Sequence, residues 1–286
     1  ATNSAPFINY CTFRYSSGTG ISAGNSTSVK ILNSTITQNA GTGIVSTGSG
    51  GLTLSNDTIS NNGGAGIQNN KGVTNISDST IKDNTGIGLL LTSPNDTVTT
   101  AYITNNLIDN NGLGLRINGR DGSTHIVSGN TITNNDGTNS NAGENTGSGG
   151  GIAISAPYGA SSVIVNNNQI RNNISKMGGG IWVSADGHIE ITNNTIADNQ
   201  ATNTSGDKAG GGIYAHLTMR SSATSTISHN TITGNSAPSG GAAKLHLYTT
   251  GASNAFEYNT VTGNTSTDSD GGTIYLVDQG DPGTFA

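Results

Sequence analysis

Apolar residues recur along this chain as single positions set between polar ones, in a frame that repeats. The motif Asn-x-Thr-Ile-x-x-Asn shows it plainly: Asn33-Ser-Thr-Ile-Thr-Gln-Asn39, Asn56-Asp-Thr-Ile-Ser-Asn-Asn62 and Asn193-Asn-Thr-Ile-Ala-Asp-Asn199. Taking the apolar anchor of each repeat gives Phe13, Ile36, Ile59, Ile81, Ile108, Ile132, Ile170, Ile196, Ile232 and Val261. Their spacings of 23, 23, 22, 27, 24, 38, 26, 36 and 29 residues have a floor near 22, the length of one coil of a solenoid. Five residues before the anchors stand Ile8, Ile31, Leu54, Ile76, Ile103, Val127, Val165, Ile191, Ile227 and Phe256, all apolar. Three residues after them stand Ser16 and then Asn39, Asn62, Asn84, Asn111, Asn135, Asn173, Asn199, Asn235 and Asn264. A polar surface column would not select one residue type nine times in ten, so the spacing predicts an asparagine ladder. Asparagine tolerates left-handed backbone angles at a corner, and its amide can bond the same amide one coil away.

After each corner a Gly-rich turn leads into a second segment of the form Gly-Ile-x-Val, as in Gly151-Ile-Ala-Ile154, Gly180-Ile-Trp-Val183 and Gly212-Ile-Tyr-Ala215. Alternation sends Ile181 and Val183 inward and Trp182 outward. Helical periodicity is absent, and Gly, Asn and β-branched residues oppose helix throughout. The expected fold is all-β: a single-stranded parallel β-helix of about ten coils, one domain over residues 1–286 and about 50 Å long at about 4.8 Å per coil. These repeats resemble the right-handed parallel β-helices of the pectate-lyase-like superfamily over nearly the whole chain, and right-handedness is what that resemblance implies. Gly149-Gly-Gly-Ile152, Gly178-Gly-Gly-Ile181 and Gly210-Gly-Gly-Ile213, alternating with Ile-x-x-Asn segments, are similar to the repeats of polymorphic outer-membrane autotransporter adhesins.

Composition fits a thin, repetitive core: 31% hydrophobic and 10% charged residues with 43 glycines, well below the apolar and charged fractions of an ordinary domain. A net charge of −6 with 11 Lys and Arg offers no basic stripe, so neither nucleic acid nor an anionic membrane is an expected partner. No run approaches 18 apolar residues and no charged-then-apolar leader opens the chain, which predicts a soluble mature chain with no membrane insertion. One cysteine, Cys11, excludes an internal disulfide framework; it shares a column with Ser34, Asn106, Asn168 and Asn194 and reads as a small filler at a turn. Neither end shows a capping helix, so the chain is expected to be a segment of a longer rod or a subunit that stacks end to end.

Enzymes of the superfamily act on acidic polysaccharides, which implies clustered acids and bases or calcium carboxylates. The chain has three glutamates, Glu144, Glu190 and Glu257. Gly187-His188-Ile189 lacks the second glycine of a pectinase motif, Arg116-Ile117 is followed by Asn118 where lysine is expected, and Tyr158-Gly159 does not continue as in alginate epimerases. Asp268, Asp270 and Asp278 form no calcium repeat, and no metal, cofactor or catalytic set is expected. What stands out is the outward column of the second strand: Val45, Gln68, Leu90, Arg116, Ala153, Trp182, Tyr214, Lys244 and Tyr275. The next outward column holds Asn118, Ser155, Ser184, His216, His246 and Val277. Loops at 137–150, 155–162, 200–211, 217–226 and 248–254 would wall this face into a groove.

Arg116, Trp182, Tyr214, His216, Lys244, His246 and Tyr275 are therefore the candidate carbohydrate-binding residues, with aromatic faces for stacking and polar tips for orientation. The plainer alternatives are an aromatic ladder that only supports neighbouring strands, and solvent-facing histidines at 216 and 246. Nine glycosylation sequons occur, at Asn25, Asn33, Asn56, Asn75, Asn95, Asn173, Asn193, Asn203 and Asn264. The functional expectation is an extracellular surface or structural rod, adhesin-like or fibre-forming, that contacts glycans or cell-surface polymer. The rivals are a polysaccharide lyase, hydrolase or epimerase, and a phage-like tail fibre or spike segment.

Overall fold

The computed structural model describes residues 5–24, 28–92, 99–119, 122–138, 149–156, 161–204, 210–217, 224–247, 253–268 and 271–278. Three ten-stranded parallel sheets run the length of the rod, each taking one strand from every coil. The first sheet runs from Phe7–Asn9 to Ser253–Glu257, the second from Thr12–Arg14 to Thr260–Thr262, and the third from Ile21–Ala23 to Ile274–Asp278. The predicted columns are the observed register: Ile8 pairs with Ile31, Ile31 with Leu54, and so on to Phe256, while the anchors pair from Phe13 to Val261. No helix occurs among the described residues. The core is a set of stacked aliphatic columns, with Ile31, Ile36, Ile59, Ile81, Ile132, Ile170 and Ile196 fully shielded. Each such side chain contributes about 1.5–3 kcal/mol on burial, so a few per coil suffice when every coil is covered by the next.

The asparagine ladder is present and works harder than expected. In Asn173, the side-chain Oδ1 accepts from both the backbone N–H and the Nδ2 of Asn135 at 3.0 and 2.9 Å. Its own Nδ2 donates to the Ile132 carbonyl and to Asn199 Oδ1, each at 3.0 Å. Every hydrogen-bonding capacity of the buried amide is thus used, and core carbonyls left over by the corner are satisfied. The left-handed residue, however, is not the ladder asparagine. It is the residue before it: Tyr15, Gln38, Asn61, Asp83, Asn110, Asn134, Asn172, Asp198, Gly234 and Gly263 all have positive φ. One residue turns the chain and the next ties the coils, because an amide aimed into the ladder must follow a corner already made.

A second ladder runs up the corner between the first and second sheets. Asn106, Asn130, Asn168, Asn194, Asn230 and Asn259 are joined by Nδ2-to-Oδ1 bonds of 3.0 Å. Below them the column continues through Ser79, Asp57, Ser34 and Cys11, each backbone N–H donating to the side chain of the next coil. Cys11, expected as a turn filler, is the first rung of this column. Here too a left-handed residue precedes each rung, from Tyr10 and Asn33 to His229 and Tyr258.

The Gly-Gly-Gly repeats have a separate physical reason at each position. Gly178 is left-handed at φ 62°, a side chain on Gly179 would lie 2.5 Å from the Gln200 backbone, and one on Gly180 would lie 2.7 Å from the Gly212 carbonyl. The close approach at Gly179 belongs to a small fourth sheet of four short strands: Ile174–Ser175, Gln200–Ala201, Ser236–Ala237 and Thr265–Ser266.

The ladders and their corners make three predictions. Asn173→Ala strands the Asn135 amide groups and the Ile132 carbonyl, and should destabilise the rod by about 2–4 kcal/mol in urea denaturation. Asn56→Ala, which loses only left-handed tolerance, should cost about 1–2 kcal/mol. Asp57 is the one carboxylate in a ladder, and burial pushes its pKa up from 3.8 to about 6 against the opposing backbone N–H bonds of Ser34 and Ser55. The folded state then holds a proton that the unfolded chain releases between those values, so stability falls as pH rises through that window. Asp57→Asn should raise stability at about pH 7 by about 1 kcal/mol and give no gain at about pH 3.5, as read from paired denaturation curves.

Candidate functional site

The third sheet carries the candidate residues because its strands alternate, sending every second side chain away from the core. Register places Ala153 beside Trp182, Trp182 beside Tyr214, Tyr214 beside Lys244 and Lys244 beside Tyr275. The adjoining column places Ser184 beside His216 and His216 beside His246. Arg116 sits one coil below Ala153, so it does not touch Trp182 through the ladder; its Nε donates to Asn118 Oδ1 at 3.4 Å.

The aromatic and imidazole rings form one contiguous cluster. Tyr214, His216 and His246 form a triangle, with the tyrosine centroid 5.1 and 5.2 Å from the two imidazoles and these 4.6 Å apart, and Trp182 is 6.5 Å from His216. The Tyr214 hydroxyl and His216 Nε2 share a 2.8 Å hydrogen bond. The Lys244 ammonium lies 6.0 Å from the Tyr214 ring and 5.2 Å from the Tyr275 ring, within cation–π range.

Exposure corrects the expectation of an open track. Tyr214, Lys244, Arg116 and His246 are only 2%, 4%, 4% and 1% exposed, while Trp182, His216 and Tyr275 are half-buried. His246 is therefore not a solvent-facing histidine. Among the described residues the cover comes from Met177, Ala201 and Ala237, which pack on Tyr214 and Trp182 from the small fourth sheet and its approach. Trp182 also packs on a second outer cluster of Ile87, Leu113 and Ala153 with Leu90, so its indole bridges two apolar patches. Its Nε1 is buried and has no hydrogen-bond partner. The loops expected to wall the groove fall largely at 139–148, 157–160, 205–209, 218–223 and 248–252, outside the described residues. Sequence reasoning missed Ala201 and Ala237, although a signal existed: small residues stand two places after the ladder asparagines at Ser175, Ala201, Ala237 and Ser266.

Two of the nine sequons are corrected by the ladder. Asn173 has both amide hydrogens committed inside the rod, and Asn264 donates to the carbonyls of Ile232 and Thr262, so a glycan on either nitrogen would break these bonds. Asn56 and Asn193 are exposed left-handed corners; Asn33, Asn75 and Asn203 are half-buried; Asn25 and Asn95 lie outside the described residues. Among the described residues no group of three or more His, Cys, Asp or Glu side chains is placed to hold a metal ion.

The family model for the right handed beta helix region matches residues 1–157 and 137–284. The chain belongs to the right-handed β-helix family. No curated protein and no solved structure matches it. The coils of this β-helix are thus right-handed, and the cluster around Tyr214 lies on the outer face of its third sheet.

Burial changes what a substitution reports. Tyr214→Ala opens a cavity under the fourth sheet and should destabilise the β-helix by about 3–5 kcal/mol, whereas Tyr214→Phe, which keeps the ring and removes the hydroxyl bonded to His216, should cost about 1 kcal/mol in the same denaturation assay.

Proposed function

We propose that this β-helix is an extracellular surface or structural rod, adhesin-like or fibre-forming, whose third sheet contacts carbohydrate around Trp182. The observation that carries the reading is the contiguous run from Trp182 through Tyr214 and Lys244 to Tyr275, flanked by His216 and His246. The half-buried Trp182, His216 and Tyr275 offer ring faces to the apolar side of a sugar, with Tyr214, Lys244 and His246 packed beneath them. Arg116 extends the polar end of the same face. Placement outside the cell is supported by the amide-rich, weakly charged composition, and end-to-end self-association by the parallel edges of a solenoid.

A second reading has its own observation. The 2.8 Å Tyr214–His216 bond, with Lys244 against the same tyrosine ring, is an arrangement that can move a proton, as a polysaccharide lyase, hydrolase or epimerase requires.

Incubation with a panel of neutral and acidic polysaccharides tests both. Retention on a polysaccharide without new reducing ends or unsaturated uronates is expected, and Trp182→Phe, which presents a smaller ring face, should weaken it about tenfold while a parallel melting curve shows that the rod stays folded. Equal retention by Trp182→Phe, or no retention by the parent protein, would sink the binding face. Turnover would favour the enzyme instead.

A further inference from the structure

The outer face of the first sheet carries a separate group of side chains in the eighth coil. His188 and Glu190 are two residues apart on the strand His188–Thr192, so both point away from the core on the same side. His188 Nδ1 and Thr224 Oγ1 are 2.7 Å apart across the neighbouring coil, and Thr192 Oγ1 donates to Glu190 Oε1 at 3.0 Å. His188 Nε2 lies 3.8 Å from Glu190 Oε2, which is too long for a hydrogen bond. In the tautomer whose Nδ1–H donates to Thr224, Nε2 carries the lone pair and lies 3.8 Å from the Glu190 carboxylate oxygen.

Two lone-pair donors so placed can hold a cation between them. A tetrahedral zinc ion with nitrogen and oxygen ligands at about 2.0–2.1 Å holds them about 3.4 Å apart, a few tenths of an ångström from the separation already present. The hydroxyls of Thr224 and Thr192 orient the imidazole and the carboxylate from behind, as outer partners do at metal centres. Ser162 and Thr226, the register partners of His188 and Glu190, bring no competing charge to this face. Both ligands are about one-third to two-fifths exposed, which leaves the remaining coordination positions open to water.

We propose that His188 and Glu190 form a two-ligand surface site for a divalent transition metal, Zn²⁺ or Cu²⁺, oriented by Thr224 and Thr192. Imidazole with carboxylate suits both ions, and Cu²⁺ should bind the more tightly of the two. The site is independent of the carbohydrate face and does not depend on that reading.

Calorimetric titration of the full chain with ZnCl₂ and with CuCl₂ tests it. His188→Gln and Glu190→Gln should each weaken binding at least tenfold, and Thr224→Val about tenfold through the lost orienting bond. His229→Gln, which alters another surface imidazole, stacked on Tyr258, should bind as the parent does. In the parent protein, substoichiometric Cu²⁺ should broaden the His188 ring resonances before those of His229. Unchanged affinity in His188→Gln, or broadening that begins at another histidine, would overturn the proposal. All four positions face outward, and matching melting curves for the variants would show that lost binding is not lost folding.

Discussion

The amide-to-amide bond between successive coils is the constraint on which the rest of the rod depends. This parallel solenoid turns sharply twice, once between its first and second sheets and again after the second, and each turn strands backbone groups in the interior. A ladder asparagine answers this with one side chain that accepts twice from the coil before it and donates both to a core carbonyl and to the coil after it. The solution works only if neighbouring coils present the same residue at the same place. Hence the segment from the first sheet to the second corner keeps one length in all ten coils, and the variation of 22 to 38 residues between anchors falls elsewhere. The additional length goes to the Gly-rich turn and to the return from the third sheet, where no ladder exists to be broken.

That division accounts for what was legible in the sequence. The columns of Ile31, Ile36 and Asn39 could be aligned by eye because stacking forces identity at fixed offsets. The second ladder was harder to see, since its first rungs are Cys11, Ser34, Asp57 and Ser79. In the upper coils its members stand next to left-handed asparagines, as in Asn105-Asn106, Asn167-Asn168 and Asn193-Asn194, and composition does not say which of the pair turns the chain. The outward columns of the third sheet followed from alternation alone and were placed correctly. Their burial did not follow, because it depends on Met177, Ala201 and Ala237, which lie in a turn and two-residue strands with no periodicity to betray them.

The same logic explains why the cluster around Tyr214 is made of adaptable, partly polar rings. Covered by alanines and a methionine rather than by large aliphatics, Tyr214 keeps its hydroxyl on His216 and its ring against His246. Trp182 spans the junction between this cover and the apolar patch of Ile87 and Leu113, with its indole nitrogen shielded and unbonded. The two faces therefore differ in kind: the second sheet is fixed by ladders at both edges, while the outer surface of the third is held by side-chain packing from short strands. Side chains on the second kind of face can adjust without breaking a column of amides.

Two buried ionisable groups make stability depend on pH in opposite directions. Asp57 lacks the donor that an asparagine would supply, and its raised pKa makes the third coil weaker as pH rises from about 3.8 through about 6. His125 lies inward in the sixth coil between Ala101 and Val163, 1% exposed, with neither ring nitrogen hydrogen-bonded and with Gly119 close against Nε2. Burial lowers its pKa from 6.5 to about 4, so the unfolded chain takes up a proton that the folded coil refuses, and this contribution to stability is lost as pH falls through that range. In a compact two-state domain the opposing slopes would largely cancel. In a solenoid they do not, because each coil's stability is set by its immediate neighbours. Acid therefore loosens the rod around the sixth coil while neutral pH strains it around the third, and a single melting temperature averages over two different weak points.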